Sequence, residues 1–318
     1  MSDDRQIISE IDLSVIIPAF NEEAAIGGVV DELRRSLNSH AGEWEIIVVD
    51  DASTDRTAEV ALELGARVVR HDRRRGSGAA RKSGIRAARG AIIAMLDGDG
   101  SYPADELPSL LSFIEAFDQV NGARRCEAGT HKWLRSPVKW GIRKFAEVAS
   151  GHRIPDLNTG MKVFKREAML PYLDVVSDGF SCVTSMTLVM LCDGHRVKYV
   201  PISYRPRIGM SKFRPIRDTT RYVWTVLRIV WLCRPLRLSL VVGLGLLCLA
   251  IVSAGVERWL FGLVPPPVAN GLAVTAAAVV LFGFAGWRRA RRRRRLASPP
   301  TDVPTMVKVG EAFPVSVR

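Results

Sequence analysis

The sequence predicts an α/β domain built on a parallel sheet, followed by an amphipathic helix and a pair of membrane-spanning helices. Three observations carry that expectation. Between Leu13 and Leu96, short apolar runs alternate with longer amphipathic stretches; strands apolar on both faces and separated by helices belong to parallel sheets covered on both sides. Acidic clusters stand at the ends of these runs, where open parallel sheets gather ligands. Beyond Arg237, neither Leu238 to Val256 nor Trp259 to Trp287 holds a charged residue, and each uninterrupted piece approaches the roughly 20 apolar residues of a membrane crossing.

Taken in order, residues 1–11 form a tail whose start, Met1-Ser2-Asp3-Asp4-Arg5, lacks the basic and apolar regions of a signal peptide. The first domain is therefore expected to stay on the side where it is made. Residues 12–215 form the α/β domain. Leu13 to Pro18, Trp44 to Val49, Ala66 to Val69 and Ala91 to Leu96 read as its first four strands. Later strands are expected near Gln119 to Gly122, Met161 to Phe164 and Val197 to Tyr204. Residues 216–237 form a juxtamembrane segment, in which Tyr222 to Leu236 mixes Trp224, Trp231, Arg221, Arg228 and Arg234 with aliphatics, as an interfacial helix would. Residues 238–287 form the two spans, with Pro265-Pro266-Pro267 in the turn, and residues 288–318 a basic tail. Arginines flank both outer ends of the hairpin, so both ends are expected to be cytoplasmic.

The chain has 318 residues, of which 47% are hydrophobic and 25% charged, enough to bury a sizeable core. Its net charge is +12, and Arg288, Arg289 and Arg291 to Arg295 supply seven of the positive charges. A basic excess gathered beside a membrane span suggests an anionic lipid surface and argues against nucleic acid as the partner. Five cysteines (Cys126, Cys182, Cys192, Cys233, Cys248) form no CxxC pair and read as reduced packing residues. His71, His131, His152 and His195 show no metal-ligand spacing and read as solvated or packing residues.

The chemistry gathers at strand ends. Asp97-Gly98-Asp99 closes the fourth apolar run, and two carboxylates there can hold a divalent cation against a diphosphate. Phe20-Asn21-Glu22-Glu23 follows the first run, and Asp50-Asp51-Ala52-Ser53-Thr54-Asp55 follows the second. Arg75-Gly76-Ser77-Gly78-Ala79-Ala80-Arg81-Lys82 suggests a phosphate loop, but Arg81 replaces the third glycine, no GK[ST] follows, and the segment trails the third strand. It reads instead as a glycine turn opening a helix, Gly78 to Ala88, packed near a nucleotide. No Ser/His/Asp constellation is evident.

Ser14 to Glu23, Val48 to Asp55 and Leu96 to Gly100 together resemble glycosyltransferase family 2, whose fold is the GT-A type, a Rossmann-like sheet domain. Val120 to Arg124, Ile154 to Gly160 and Arg207 to Lys212 are similar to its polyprenyl-phosphate branch, related to dolichol-phosphate mannose synthase. The resemblance implies that Pro18, Ala19, Glu22, Asp50 and Asp51 surround the base and ribose of a nucleotide sugar of the GDP-mannose or UDP-glucose type. It implies that Asp97 and Asp99 hold Mg2+ or Mn2+ on the diphosphate, Asp99 more directly. Arg124 would meet the phosphates or the acceptor, and Arg207, Ser211 and Lys212 would receive the lipid phosphate. Two departures bear on the donor sugar. Ser181 to Ser185 carries no carboxylate where the branch has Gln and an acidic residue, and Ser101 stands at a position that often carries Gln. The QxxRW motif of processive synthases is absent. The expected protein is thus an integral membrane enzyme with a cytoplasmic catalytic domain, at a bacterial inner membrane. It would transfer one sugar, with inversion, to polyprenyl phosphate. Another membrane lipid acceptor and a catalytically silent nucleotide-binding membrane module are the alternatives, and a homo-oligomer stays open.

Overall fold

The computed structural model describes residues 11–125, 132–209, 215–262 and 266–297. Two compact units meet between Leu238 and Ser239. The first holds, in chain order, β1 (Ile11–Ala19), α1 (Glu23–Leu37), β2 (Glu43–Asp50), α2 (Thr57–Glu63), β3 (Arg67–Arg70), α3 (Ser77–Ala87) and β4 (Ile92–Met95). There follow α4 (Leu107–Leu111), β5 (Gln119–Arg124), α5 (Lys132–Ser150), β6 (Lys162–Lys165), α6 (Arg166–Met169), α7 (Cys182–Asp193), β7 (Val197–Ile202) and α8 (Pro215–Cys233). Every strand expected from the sequence is present. The strands form one sheet in the order β3-β2-β1-β4-β6-β5-β7.

The parallel arrangement holds for β3-β2-β1-β4, and β5 also pairs parallel with β7, but β6 runs antiparallel to both β4 and β5. The pattern of β6 could not reveal its direction. Val163 and Phe164 are both buried, on opposite faces, as in a central parallel strand. Register matters more than direction for the site. Ala19 lies opposite Asp50, and Ile16 opposite Met95, so the carboxyl ends of β1, β2 and β4 finish on one rim.

Each face of the sheet carries its own core. Leu13, Val15 and Ile17 of β1 pack with Ile26, Val30 and Leu33 of α1 on one side. Ile16, Ile47 and Ile93 pack with Ala80 and Ile85 of α3 and with Met186 and Val189 of α7 on the other. Helix α7 is buried along almost its whole circumference, which is why it shows no polar stripe. Helix α8 begins earlier than the expected Tyr222, and it sends Val226, Ile229 and Val230 into this same core while Trp224 stays 70% exposed. It therefore belongs to the first compact unit. Cys182 and Cys192 are buried packing residues; Cys126 and the tail 1–10 lie outside the described residues.

The second unit contains the hairpin. Helix α9 (Pro235–Phe261) begins before the unit boundary, and α10 runs over Pro267–Ala297. Pro235–Phe261 and Pro267–Gly286 are long and apolar enough to cross a membrane, with mean hydropathies of 2.4 and 2.0. Helix α9 ends at Phe261, so Trp259 to Phe261 close the first helix instead of opening the second span, and Pro267 is the first residue of α10, a position where its missing N–H costs nothing. Glu257 caps that start, accepting the Val268 and Ala269 N–H groups at 3.0 Å each. Helix α10 continues through the arginine run to Ala297, so the expected basic tail is helical over its first part.

One buried cation ties the antiparallel strand to α7. Lys162 has no exposed surface, and its Nζ donates to Asn121 Oδ1 at 3.0 Å and Thr187 Oγ1 at 2.7 Å. With neutral oxygens as its bonded partners, burial pushes its pKa down to about 7. An unfolded lysine keeps its proton to about pH 10. Between those values the unfolded state binds more protons, so stability rises with pH. The thermal midpoint of the wild-type protein is expected to gain more between pH 7 and pH 9 than that of Lys162→Met, measured by differential scanning fluorimetry in the same buffers.

Candidate active site

The loops after β1 and β2 are stitched together before they meet any ligand. Ser53 Oγ accepts the Asn21 N–H at 2.9 Å, Asn21 Oδ1 accepts the Thr54 N–H at 2.9 Å, and Thr57 Oγ1 accepts the Glu22 N–H at 2.9 Å. Asn21 and Ala52 hold positive φ values of 51° and 63°, the sharp turns that bring the two loops face to face. Asp50 and Asp51 then part ways. Asp50 is fully buried beneath the turn, accepting the Ser53 N–H at 3.0 Å and pairing with Arg70 at 3.1 Å. Asp51 lines a cleft of about 930 Å3 and accepts the backbone N–H groups of Arg75 and Gly76 at 2.8 Å each.

At the end of β4, Asp97 and Asp99 enter the same cleft. Asp97 is paired with the buried Arg81 of α3. Burial pushes its carboxyl above the usual range; Arg81 opposes that rise and the charge of Asp99 adds to it. Asp99 accepts the Ser101 hydroxyl at 2.5 Å and N–H at 3.1 Å, and its other oxygen meets Arg207 at 3.0 Å. Backbone crowds the pair: a Cβ on Gly160 would lie 2.7 Å from Asp97 Oδ2, and Gly160 N–H donates to the buried Tyr102 hydroxyl at 2.7 Å. Among the described residues no group of three metal-ligating side chains occurs.

The glycine-rich segment does not offer its helix start to a ligand. The N–H groups of Gly78 and Ala79 donate to the Asp178 carbonyl at 2.9 and 3.1 Å, so the loop Ser177 to Ser181 caps α3 and lies across it. Lys82 fastens that loop by pairing with Asp178. The glycines are required by this close approach, since a Cβ on Gly78 would lie 2.6 Å from the Asp178 carbonyl carbon.

The cleft gathers Pro18, Ala19, Glu22, Asp51, Asp97, Asp99 and Arg207 of the expected residues. Asp50 and Arg124 do not line it. Arg124 instead grips Asp156, with Nε to Oδ2 at 2.7 Å and Nη2 to Oδ1 at 3.0 Å, and its guanidinium lies 5.1 Å from the centre of the Tyr204 ring. Burial works to raise the Asp156 carboxyl, but the hydrogen bonds and charge of Arg124 outweigh it and hold that pKa below the usual range. Ser211 and Lys212 lie outside the described residues. Sequence reasoning missed Arg81, which appeared only as a broken glycine motif, and the part that Phe180, Arg221, Trp224 and Thr225, which carry no motif, take in lining the cleft. It also missed a spatial Ser83–His71–Asp51 line, whose members are brought together only by the sheet.

The family model for glycosyl transferase family 2 matches residues 14–171. A dolichyl-phosphate hexose transferase of Haloferax volcanii is 32% identical over 206 residues, covering 64% of this chain and 87% of that protein. The chain belongs to glycosyl transferase family 2. A low-salt glycan biosynthesis hexosyltransferase of the same organism is 32% identical over 259 residues, covering 77% of this chain; this glycosyltransferase spans 60% of that relative's length. Glucosyl-3-phosphoglycerate synthase from Mycobacterium tuberculosis, solved with Mn2+, UDP-glucose and phosphoglyceric acid, superposes with a TM-score of 0.54 at 23% identity. That match covers 69% of this chain and 80% of that one, and it shows the fold, which is of the GT-A type.

The contact between α3 and the Ser177 to Ser181 loop is testable in this glycosyltransferase. Gly78→Ala forces the loop away from the cleft, because the obstructing atoms are backbone. Sugar-transfer turnover is expected to fall roughly tenfold or more, with the far-ultraviolet circular dichroism spectrum unchanged.

Proposed function

We propose that this glycosyltransferase transfers a single sugar from a nucleoside diphosphate donor, of the GDP-mannose or UDP-glucose type, to the phosphate of a polyprenyl lipid at a membrane surface. The observation that carries this reading is that one cleft gathers the acidic pair together with cationic and aromatic side chains. It is lined by Asp51, Pro18 and Ala19, by Asp97 and Asp99, and by Arg207, Arg221 and Trp224, with Arg207 3.0 Å from Asp99. Arg207, Arg221 and Trp224 in its lining suit an anionic headgroup carried on an apolar chain. The dolichyl-phosphate specificity named for the Haloferax relative and the two apolar helices support the same acceptor class.

In this reading Pro18, Ala19, Glu22 and Asp51 hold the base and ribose, while Asp50 acts from below by fixing the turn. Two carboxylates completed by diphosphate oxygens fit Mg2+ or Mn2+, which take one or two protein carboxylates together with substrate phosphates. When bound, such an ion would neutralise charge on the departing diphosphate. Arg81 pairs with Asp97 and Arg207 with Asp99, which orients the two carboxylates. Arg124 positions the Ile154 to Gly160 loop through Asp156, and that loop brings Asn158 and Gly160 to the cleft. Arg207, with Ser211 and Lys212, receives the acceptor phosphate. One of its oxygens attacks the anomeric carbon as the bond from that carbon to the diphosphate oxygen breaks, which inverts the configuration and releases the nucleoside diphosphate. A catalytic domain facing the cytoplasm of a bacterial inner membrane fits the arginines at both ends of the hairpin.

The test is transfer from a panel of radiolabelled nucleotide sugars to short-chain polyprenyl phosphate by detergent-purified protein, with and without Mn2+. Glycolipid formation is expected to require the ion and to fall at least about 100-fold in Asp99→Ala. No product from any donor, with nucleotide binding intact, would overturn the lipid-phosphate assignment and favour another acceptor or a silent binding module.

A further inference from the structure

His71 follows β3 and is buried against Asp51, a residue of the cleft lining. Its Nδ1 lies 2.7 Å from Asp51 Oδ1, and its Nε2 lies 2.9 Å from Ser83 Oγ on α3. Asp51 Oδ1 also accepts the Arg75 N–H, and Oδ2 accepts the Gly76 N–H. An ionised carboxylate only accepts hydrogen bonds, so the Nδ1 facing it carries a proton. The Ser83 hydroxyl can then donate to Nε2, and a neutral imidazole satisfies both neighbours.

The order Ser–His–Asp is that of a nucleophile-activating triad, but its direction of access is reversed. Asp51 lines the cleft, whereas Ser83 does not. The group presented to a ligand is the carboxylate, and the histidine stands behind it. With two donors on Oδ1 and one on Oδ2, the remaining acceptor capacity of Asp51 is on Oδ2. Besides the ring, the carboxylate accepts two backbone N–H groups of a loop, and that loop also carries Arg74, stacked 4.1 Å from the centre of the Phe20 ring, both residues lining the same cleft.

We propose that His71 is a positioning residue for nucleotide recognition, holding Asp51 Oδ1 so that Oδ2 accepts an N–H of the donor's base. The inference rests on the nucleotide-sugar reading above. Uracil and guanine both carry such an N–H, so the clamp sets affinity for the base while leaving the choice of base to its surroundings. The diphosphate, which carries no N–H, is indifferent to it.

Isothermal titration calorimetry of the full-length protein in detergent, with UDP, GDP and inorganic pyrophosphate in Mg2+, tests the clamp. His71→Phe is expected to raise the Kd of whichever nucleoside diphosphate the wild type binds by roughly tenfold, a loss within the range for a hydrogen bond to a charged group. The pyrophosphate Kd is expected to stay unchanged. His71→Asn, whose amide N–H falls near the Nδ1 position, restores the nucleotide Kd to within about threefold, and His71→Gln, whose amide falls near Nε2, does not. An unchanged nucleotide Kd in His71→Phe, or a parallel loss of pyrophosphate, overturns the proposal; if that variant does not fold, equal Kd values for the Asn and Gln variants do so. A wild type that binds neither nucleotide removes the nucleotide-sugar reading and this inference together, whereas nucleotide binding indifferent to every His71 variant removes the inference alone.

Discussion

Two carboxylates held two residues apart in a cleft would repel each other, and the architecture around Asp97 and Asp99 is arranged to offset that repulsion. Each acid has its own guanidinium: Arg81 from α3 for Asp97, and Arg207 from the segment after β7 for Asp99. The two arginines arrive from opposite directions in sequence, so the site forms only when the whole sheet is assembled. Burial lifts Asp97 toward its neutral form, and the guanidinium beside it works in the other direction. A site built this way is poised for additional positive charge, because any cation placed between the acids relieves the remaining repulsion.

The sheet supplies the geometry that this balance needs. Parallel pairing of β1 with β2 and of β1 with β4 aligns three strand ends, and the loops beyond them are joined by side-chain to backbone hydrogen bonds through Asn21, Ser53 and Thr57. Rigid strands thus deliver Asp51 and the Asp97–Asp99 pair at fixed separation. The Ser177 to Ser181 loop, which also lines the cleft, takes its order from lying across the start of α3, where Lys82 clasps it.

The strands, both membrane-length helices and the acidic rim were legible because each leaves a periodic or compositional trace. Leu13 to Pro18 and Trp44 to Val49 are apolar runs bounded by polar clusters, and no tertiary knowledge is needed to see them. What was hidden depends on contacts between distant segments. Asp50 and Asp51 are adjacent and chemically identical, yet one turns under the loop and the other into the cleft, a choice made by Arg70 and by the Arg75 and Gly76 amides. Arg124 resembles a phosphate-binding arginine until Asp156, 32 residues away, occupies the Nε–Nη2 edge of its guanidinium. The direction of β6 was illegible for a different reason: a strand buried on both faces carries the same pattern whichever way it runs.

The absence of a carboxylate between Ser181 and Ser185 becomes intelligible once the acceptor is considered as an acid. An alcohol acceptor must lose a proton as it attacks, and an enzyme for it needs a base within hydrogen-bonding reach. A phosphate monoester has its second pKa near 6 and arrives already ionised at neutral pH. The side chains of that stretch are committed elsewhere: Ser185 donates to the Ser181 carbonyl at 2.7 Å and Thr184 to Asn158 Oδ1 at 2.7 Å, so they brace α7 and the loop it supports. For the proposed acceptor the demand on the protein shifts from removing a proton to binding an anion without quenching it. Arginine suits that demand, because its charge does not titrate and it spreads over a planar fork. Arg207, already committed to Asp99, would have to share itself between the acid and the incoming phosphate. Asp97 and Asp99 would hold a divalent cation when the donor is bound, and its positive charge would lessen the demand of Asp99 on Arg207, leaving the guanidinium for the acceptor phosphate. In this scheme the electrostatics favour donor binding before acceptor binding without requiring a change of fold.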